Sequence, residues 1–406
     1  MDVPAPIADQ LADVELFAHH AASLAVDGPD GFGPPDVPIY GERTLGAVLP
    51  GVAAALGFPT GLPAVSFPAC RSACVVLLDG LGLELLADAG AEAPFLSGLL
   101  DGPGLLAGCP TTTATSMGSF GTGLTPGIHG LLGYEVLDPD RDVLLNELKW
   151  DAGTDPLLWQ PHPTVFGTLA AAGVAVTRIG NPEFRDSGLT AAALRGGNFI
   201  GAKRLHARAD AAVEVLAGHR PTLAYVYWGD VDAAGHAHGW RSPEWRRAVR
   251  HADRELTRLA RRLSKDTLLV VTADHGMVDV PHRDRVDLAE EPALARGVRV
   301  LGGESRFAQL YCEPGTAPGV MRRMTEAFGD RAWVLDRAQA VAAGWFGPVA
   351  RRNLGRIGDV LVAAAGSFAL VDSRTAAPQV LRLIGQHGSL TTAEQRIPLL
   401  SMLARS

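Results

Sequence analysis

"ACVVLLDGLG", residues 73–82, decides the fold. An unbroken apolar run from Ala73 to Leu78, ended by Asp79 and Gly80, predicts a strand buried on both faces whose C-terminal end opens into a loop. The pattern returns in "GVAVTRIG" (173–180), "TLAYVYWGDVD" (222–232) and "TLLVVTADHG" (267–276). Each is preceded by a helix-like segment: "TVFGTLAAA" (164–172), "ADAAVEVLAG" (209–218) and "EWRRAVRHADRELTRLARRLS" (244–264). In the last, Trp245, Val249, Leu256, Leu259 and Leu263 form one apolar stripe, and the arginines between them read as a solvated face. Strands alternating with helices imply an α/β fold, a mostly parallel central sheet with helices on both faces. Ligands gather beyond the C-terminal strand ends of such a sheet.

"GYEVLDPDRDVLLNELKWDAGTDPLLWQPHP" (133–163) breaks this rhythm and reads as an excursion inserted near the site. Further on, "RFAQLYCE" and "GVMRRMTEAFG" predict a strand and a helix, and "IGDVLVAAAGSFALVD" predicts a hairpin, in a smaller subregion over about 305–375. No repeat or low-complexity linker divides the chain. The simplest partition is one domain over 1–406, with its core at about 73–390.

The chain is 47% apolar and 20% charged, as an ordinary globular enzyme is, and its net charge of −8 argues against coating a nucleic-acid polymer. "MDVPAPIADQLADVELFAHH" carries acidic residues and prolines where a secretory leader has a basic patch and an apolar core, so a cytoplasmic protein is expected. Stretches such as "LGAVLPGVAAALG" (45–57) are too short and too broken to span a bilayer, so no membrane contact is expected. Cys70, Cys74, Cys109 and Cys312 are read as reduced thiols, because "CRSAC" has no second pair to build a zinc knuckle.

Strand-end residues supply the candidate chemistry. Asp79 follows "VVLL", Asp274 and His275 follow "TLLVVTA", Asp232 and His236 stand in "DVDAAGH", and His387 stands in "GQHGSLT". The spacing Asp-x-x-x-His puts both side chains on one helical face. Taken singly, each has a bland alternative: Asp79 and Asp232 as helix caps, Asp274–His275 as a polar turn, His387 as a loop histidine. Taken together, three carboxylates and three imidazoles are the right number and type for two zinc ions with open positions. "CPTTTATSMGSFGTGLTPGIHG" (109–130) offers hydroxyls on a loop entering a helix N-terminus, where free N–H groups favour an anion, although such hydroxyls usually satisfy the backbone.

The ordered set "LLDGLG", "PTTTATS…GTGLTPGIHG", "DVDAAGHAHG", "TADHGM" and "GQHGSLT" resembles the type I phosphodiesterase / nucleotide pyrophosphatase family of the alkaline phosphatase superfamily, over roughly 73–390. The resemblance implies an alkaline-phosphatase-like fold and two Zn²⁺ per chain. One would be held by Asp79, Asp274 and His275 and met by the Thr113 hydroxyl; the other would be held by Asp232, His236 and His387. It implies Thr113, three residues after Pro110, as the nucleophile that forms a phosphothreonine intermediate, with Thr111, Thr112 and Thr115 as register neighbours. The family is expected to place an Asn three residues beyond the nucleophile to hold a phosphoryl oxygen; Ser116 stands there and would donate one shorter hydrogen bond.

Charge supports the metals. Three carboxylates alone would repel a phosphate ester, whereas two divalent ions bring the set to about +1. "CPTTTA" lacks the arginine of a sulfatase motif, and no arginine lies near Thr113 in sequence as an alkaline phosphatase would have. Such a site favours a phosphodiester or phosphoanhydride over a more highly charged ester, so the expected partner is a small-molecule phosphate ester such as a nucleotide. The alternatives are a phosphomonoester or phosphonate hydrolase on the same cage, and a metal-stabilised binding protein that has lost catalysis.

Overall fold

The computed structural model describes residues 7–11, 14–17, 25–29, 31–218 and 220–404. Much of the N-terminal stretch read for a leader lies outside these residues. The central sheet has six strands in the order Leu399–Leu403, Thr267–Thr272, Ser72–Leu78, Thr222–Trp228, Ala175–Gly180, Asn198–Gly201. All neighbours pair in parallel except Leu399–Leu403, which runs antiparallel at one edge. Every residue of Ser72–Leu78 and Thr267–Thr272 is buried, as a sheet covered on both faces requires. The expected α/β architecture is therefore present, with two strands, Asn198–Gly201 and Leu399–Leu403, added at its edges.

Helix Pro243–Ala260 buries Trp245, Val249, Leu256 and Leu259. Its arginines meet acids of neighbouring segments: Arg246 pairs with Asp88 and Glu92, and Arg258 with Asp210. Among the described residues no helix is long and apolar enough to cross a membrane. All four cysteines are free thiols.

The excursion and the later subregion meet in a second six-stranded sheet, in the order Ala332–Asp336, Val360–Ala364, Phe307–Cys312, Val298–Glu304, Glu135–Asp138, Val143–Asn146. Its pairings are antiparallel. The hairpin expected from "IGDVLVAAAGSFALVD" does not form. Val360–Ala364 pairs with Phe307–Cys312 and Ala332–Asp336, while Ala369–Val371 pairs with Arg285–Asp287. Alternation of apolar residues sets which face is buried but leaves the partner strand open, and here longer-range partners win.

Candidate metal centre and its threonine

Three adjacent strands deliver the carboxylates. Asp79 follows Ser72–Leu78, Asp274 follows Thr267–Thr272, and Thr222–Trp228 leads into helix Asp230–His238, which carries Asp232 and His236 on one face. Gly80 permits this convergence. Its φ of +72° is one that L side chains rarely adopt, and a Cβ there would lie 2.8 Å from the Asp232 Cβ. Its N–H donates to Asp274 Oδ1 at 3.1 Å. The capping alternatives do not hold, because the following helices are capped at Gly82 and Gly229.

The candidate ligand atoms form two groups. Atoms of Asp232, His236 and His387 lie within 4.8 Å of one another, as do atoms of Asp79, Asp232 and His275. Asp274 joins the second group, with Oδ2 3.5 Å from His275 Nε2, the same distance as Asp79 Oδ1. Asp232 thus stands between the two groups rather than in one alone. The imidazoles of His275 and His387 stack with centroids 3.6 Å apart.

Each histidine is oriented by its other nitrogen. Through Nδ1, His236 donates to Gly385 O at 2.7 Å, His387 to Thr111 O at 2.7 Å and His275 to Gly276 O at 3.0 Å. This turns Nε2 of each toward the cage, the atom that metal-ligating histidines held in this way present.

The donor set fits cations. Asp79 Oδ1, Asp232 Oδ1 and Asp274 Oδ2 are buried with no hydrogen-bond partner. One such carboxylate oxygen is costly, and three together need a positive charge. Proton affinities show the same conflict. Burial, then Asp274 and Asp232, push the Asp79 carboxyl well above the usual range. Burial together with His275 and His236 pushes His387 well below its own. Burial opposes charge on His236 as well, yet Asp232 at 3.2 Å raises its imidazole to about 9.

Helix Thr113–Thr122 points its N-terminus at this cage. Its N-cap, Thr112, does not cap it; the hydroxyl donates instead to Glu304 Oε1 at 2.5 Å, so no side chain takes up the N–H groups of the first turn. Thr111 donates to Ser389 O, and the Thr115 hydroxyl is buried without a partner. Of the four threonines, Thr113 has its hydroxyl on the cage, 3.4 Å from His275 Nε2.

Ser116 is not brought to the cavity. It is fully buried, and Oγ donates to the Asp274 carbonyl at 2.8 Å, so the loop that carries Asp274 packs over it and takes up its hydroxyl. Ser116→Ala is expected to cost about 1–3 kcal/mol of stability through the unpaired carbonyl. It should not produce the rise in KM for a diester that loss of a direct phosphoryl contact would give. Denaturant unfolding and steady-state kinetics check both.

A cavity of about 370 Å³ opens from the cage. Tyr134 and Leu148 of the excursion help line it, together with Phe184, Phe199, Tyr225, Tyr227 and Glu304. Tyr227 donates to Asp79 Oδ2. Trp150, Trp159 and Phe166, aromatics in and just after the excursion, pack elsewhere: Phe166 on Phe120 and Tyr225, Trp150 against Trp159, and Trp159 under the Arg356 guanidinium. Glu304 had no local signal, since it ends a strand of the other sheet. Burial pushes its carboxyl up to about 8. Arg178 also lines the cavity, so the missing arginine was missing only from the neighbourhood of Thr113 in sequence. An arginine inside the apolar run "GVAVTRIG" was its signal, because a charge in a buried strand demands a reason.

Residues 73–390 match the family model for type I phosphodiesterase / nucleotide pyrophosphatase. Human ectonucleotide pyrophosphatase/phosphodiesterase family member 7 is 30% identical over 122 residues, which are 29% of this chain and 24% of that protein. The matched stretch is thus about a quarter of that relative's length. The solved structure of human ectonucleotide pyrophosphatase/phosphodiesterase 5 superposes with a TM-score of 0.65 at 19% identity, over 81% of this chain and 87% of that one. An inactive form of the murine protein in complex with AMP gives 0.63 at 18% identity, over 82% and 87%. These structures share the fold. With the family model matching 73–390, a span containing every candidate ligand and Thr113, the chain belongs to the type I phosphodiesterase / nucleotide pyrophosphatase family.

Proposed function

We propose that this protein hydrolyses phosphodiester or phosphoanhydride bonds of small molecules, nucleotides among them, through Thr113 on a two-zinc cage. One observation carries the reading: three unpartnered carboxylate oxygens and three pre-oriented imidazoles converge beside a threonine at a helix N-terminus. Asp79, Asp274 and His275 would hold one zinc, and His236 and His387 the other, with Asp232 contributing at the boundary. When bound, zinc supplies the positive charge and Lewis acidity that this acidic cage lacks. The chain does the rest. Thr113 Oγ attacks phosphorus in line to give a phosphothreonine, the alcohol or phosphate on the far side departs, and water then cleaves the ester. The free N–H groups of the first helical turn can receive a phosphoryl oxygen. Ser116 acts as a positioning residue for Asp274. The AMP held by the murine relative supports a nucleotide as ligand.

A diester is favoured over a monoester because the wall near Thr112 carries the Glu304 carboxyl, which offers no positive charge to a second phosphate oxyanion. The purified protein is expected to contain about two zinc ions per chain by mass spectrometry. It should hydrolyse bis-p-nitrophenyl phosphate faster than p-nitrophenyl phosphate, and chelation should remove that activity. Faster hydrolysis of the monoester would move the reading to a phosphatase, and bound metal with neither activity would sink it.

A further inference from the structure

Arg178 is 8% exposed, yet its Nε and Nη1 have no hydrogen-bond partner. Of the residues lining the cavity it is the one arginine or lysine. Burying a guanidinium without an acceptor is costly, and burial does lower its proton affinity. Its described neighbours offer ring faces and no carboxylate. The guanidinium lies 5.6 Å from the centroid of Phe199, and Arg185 lies 5.0 Å from the same ring. Two cations sharing one aromatic ring leave a positive end to the cavity, opposite the acidic cage.

The sheet register gives its place. Arg178 pairs with Tyr225, which pairs with Val75, so the three side chains share one face. Val75 is four residues before Asp79. With strands ~4.8 Å apart and ~3.3 Å per residue, the Arg178 and Asp79 backbones are roughly 16 Å apart. Tyr225 and Tyr227 line the space between them. A group that reaches from the cage to the guanidinium therefore passes along these two rings.

We propose that Arg178 binds a second anionic group of the substrate, a carboxylate or a further phosphate, joined to the reacting phosphoryl by an apolar or aromatic spacer that lies along Tyr225 and Tyr227. This rests on the reading that the cage receives a phosphoryl group. It narrows the substrate class to diesters with one charged arm, and it makes Arg178 a specificity residue distant from the reacting atoms.

The test is equilibrium binding by calorimetry to zinc-loaded Thr113→Ala protein. The ligands are diphenyl phosphate, 4-carboxyphenyl phenyl phosphate and the uncharged methyl ester of the latter. The carboxylated diester should bind at least about tenfold more tightly than the other two, as a charge-assisted pair in a buried site would give. Adding Arg178→Met should bring the ratio close to one, and Arg178→Lys should restore part of it. Replacing the carboxylate by a phosphonate arm distinguishes a planar from a tetrahedral terminal anion.

Equal affinity for the acid and its methyl ester overturns the proposal without any change at Arg178, so failure of Arg178→Met to fold does not shield it. Survival of the preference in Arg178→Met overturns it equally. Hydrolysis of bis-p-nitrophenyl phosphate by the unsubstituted protein is measured in parallel. A charge preference without turnover keeps the anion site and removes the hydrolase; turnover without a preference does the reverse. Binding of neither diester overturns both.

Discussion

Thr113→Ala is expected to lower diester turnover by on the order of 10⁴-fold or more, as loss of a nucleophile does elsewhere, while zinc content stays close to two per chain. Turnover falls because the neighbouring hydroxyls cannot substitute. Thr111 and Thr112 are engaged with Ser389 and Glu304, and Ser116 with the Asp274 carbonyl. Zinc remains because the carboxylates and imidazoles keep their positions, each histidine held by a backbone carbonyl that the substitution does not touch. Steady-state kinetics and metal analysis of the same sample decide it. Full activity would mean that another group attacks phosphorus. Lost activity together with lost zinc would make Thr113 structural rather than nucleophilic.

The second large effect lies away from the chemistry. Arg306 and Glu394 form a fully buried, two-point ion pair, with Nε–Oε1 and Nη2–Oε2 both at 2.8 Å. Every remaining bond of the pair ties something down. Arg306 Nη1 donates to the carbonyls of Gly366 and Phe368, while Glu394 accepts from the Ser389 N–H and the Thr391 hydroxyl. The backbone carbonyl of Glu394 also accepts from the Gly276 N–H. The pair therefore joins the turn of the second sheet to the loops that carry His275 and His387.

Glu394→Gln leaves a buried guanidinium without its counter-charge and should cost about 3–5 kcal/mol. Zinc affinity should fall with it, because the His387 loop loses its anchor. Denaturant unfolding of the metal-loaded and metal-free forms measures both quantities. An unchanged unfolding midpoint would show that the clamp contributes nothing.

Asp79, Asp274 and His275 could be found because a buried strand writes a continuous apolar run, and the first polar residues after it stand at the sheet's C-terminal edge. Asp232 and His236 could be found because their spacing is one helical turn, and the helix Asp230–His238 is there. Ser116 was placed by its fixed distance in sequence from Thr113, and its hydroxyl is engaged by the Asp274 carbonyl instead of lining the cavity. One turn along a helix a side chain keeps to the same face, but which groups it meets there depends on what the helix packs against, here the Asp274 carbonyl.

Glu304 and Glu394 had no local signature, since their roles come from residues far along the chain. Arg178 was written openly inside an apolar strand, but its partner-free state depends on which side chains the neighbouring strands bring. By itself the sequence determined the α/β class and the strand ends, because these follow from local periodicity, while its resemblance to the family pointed to the six candidate ligands and to Thr113. The tertiary structure alone decided that Asp232 stands between the two ligand groups, that the 133–163 excursion joins the later subregion in one antiparallel sheet, and that Arg178 faces the cage across a cavity. Each of these is a pairing between distant segments, and strand pairing and loop convergence are set by packing that no local stretch encodes.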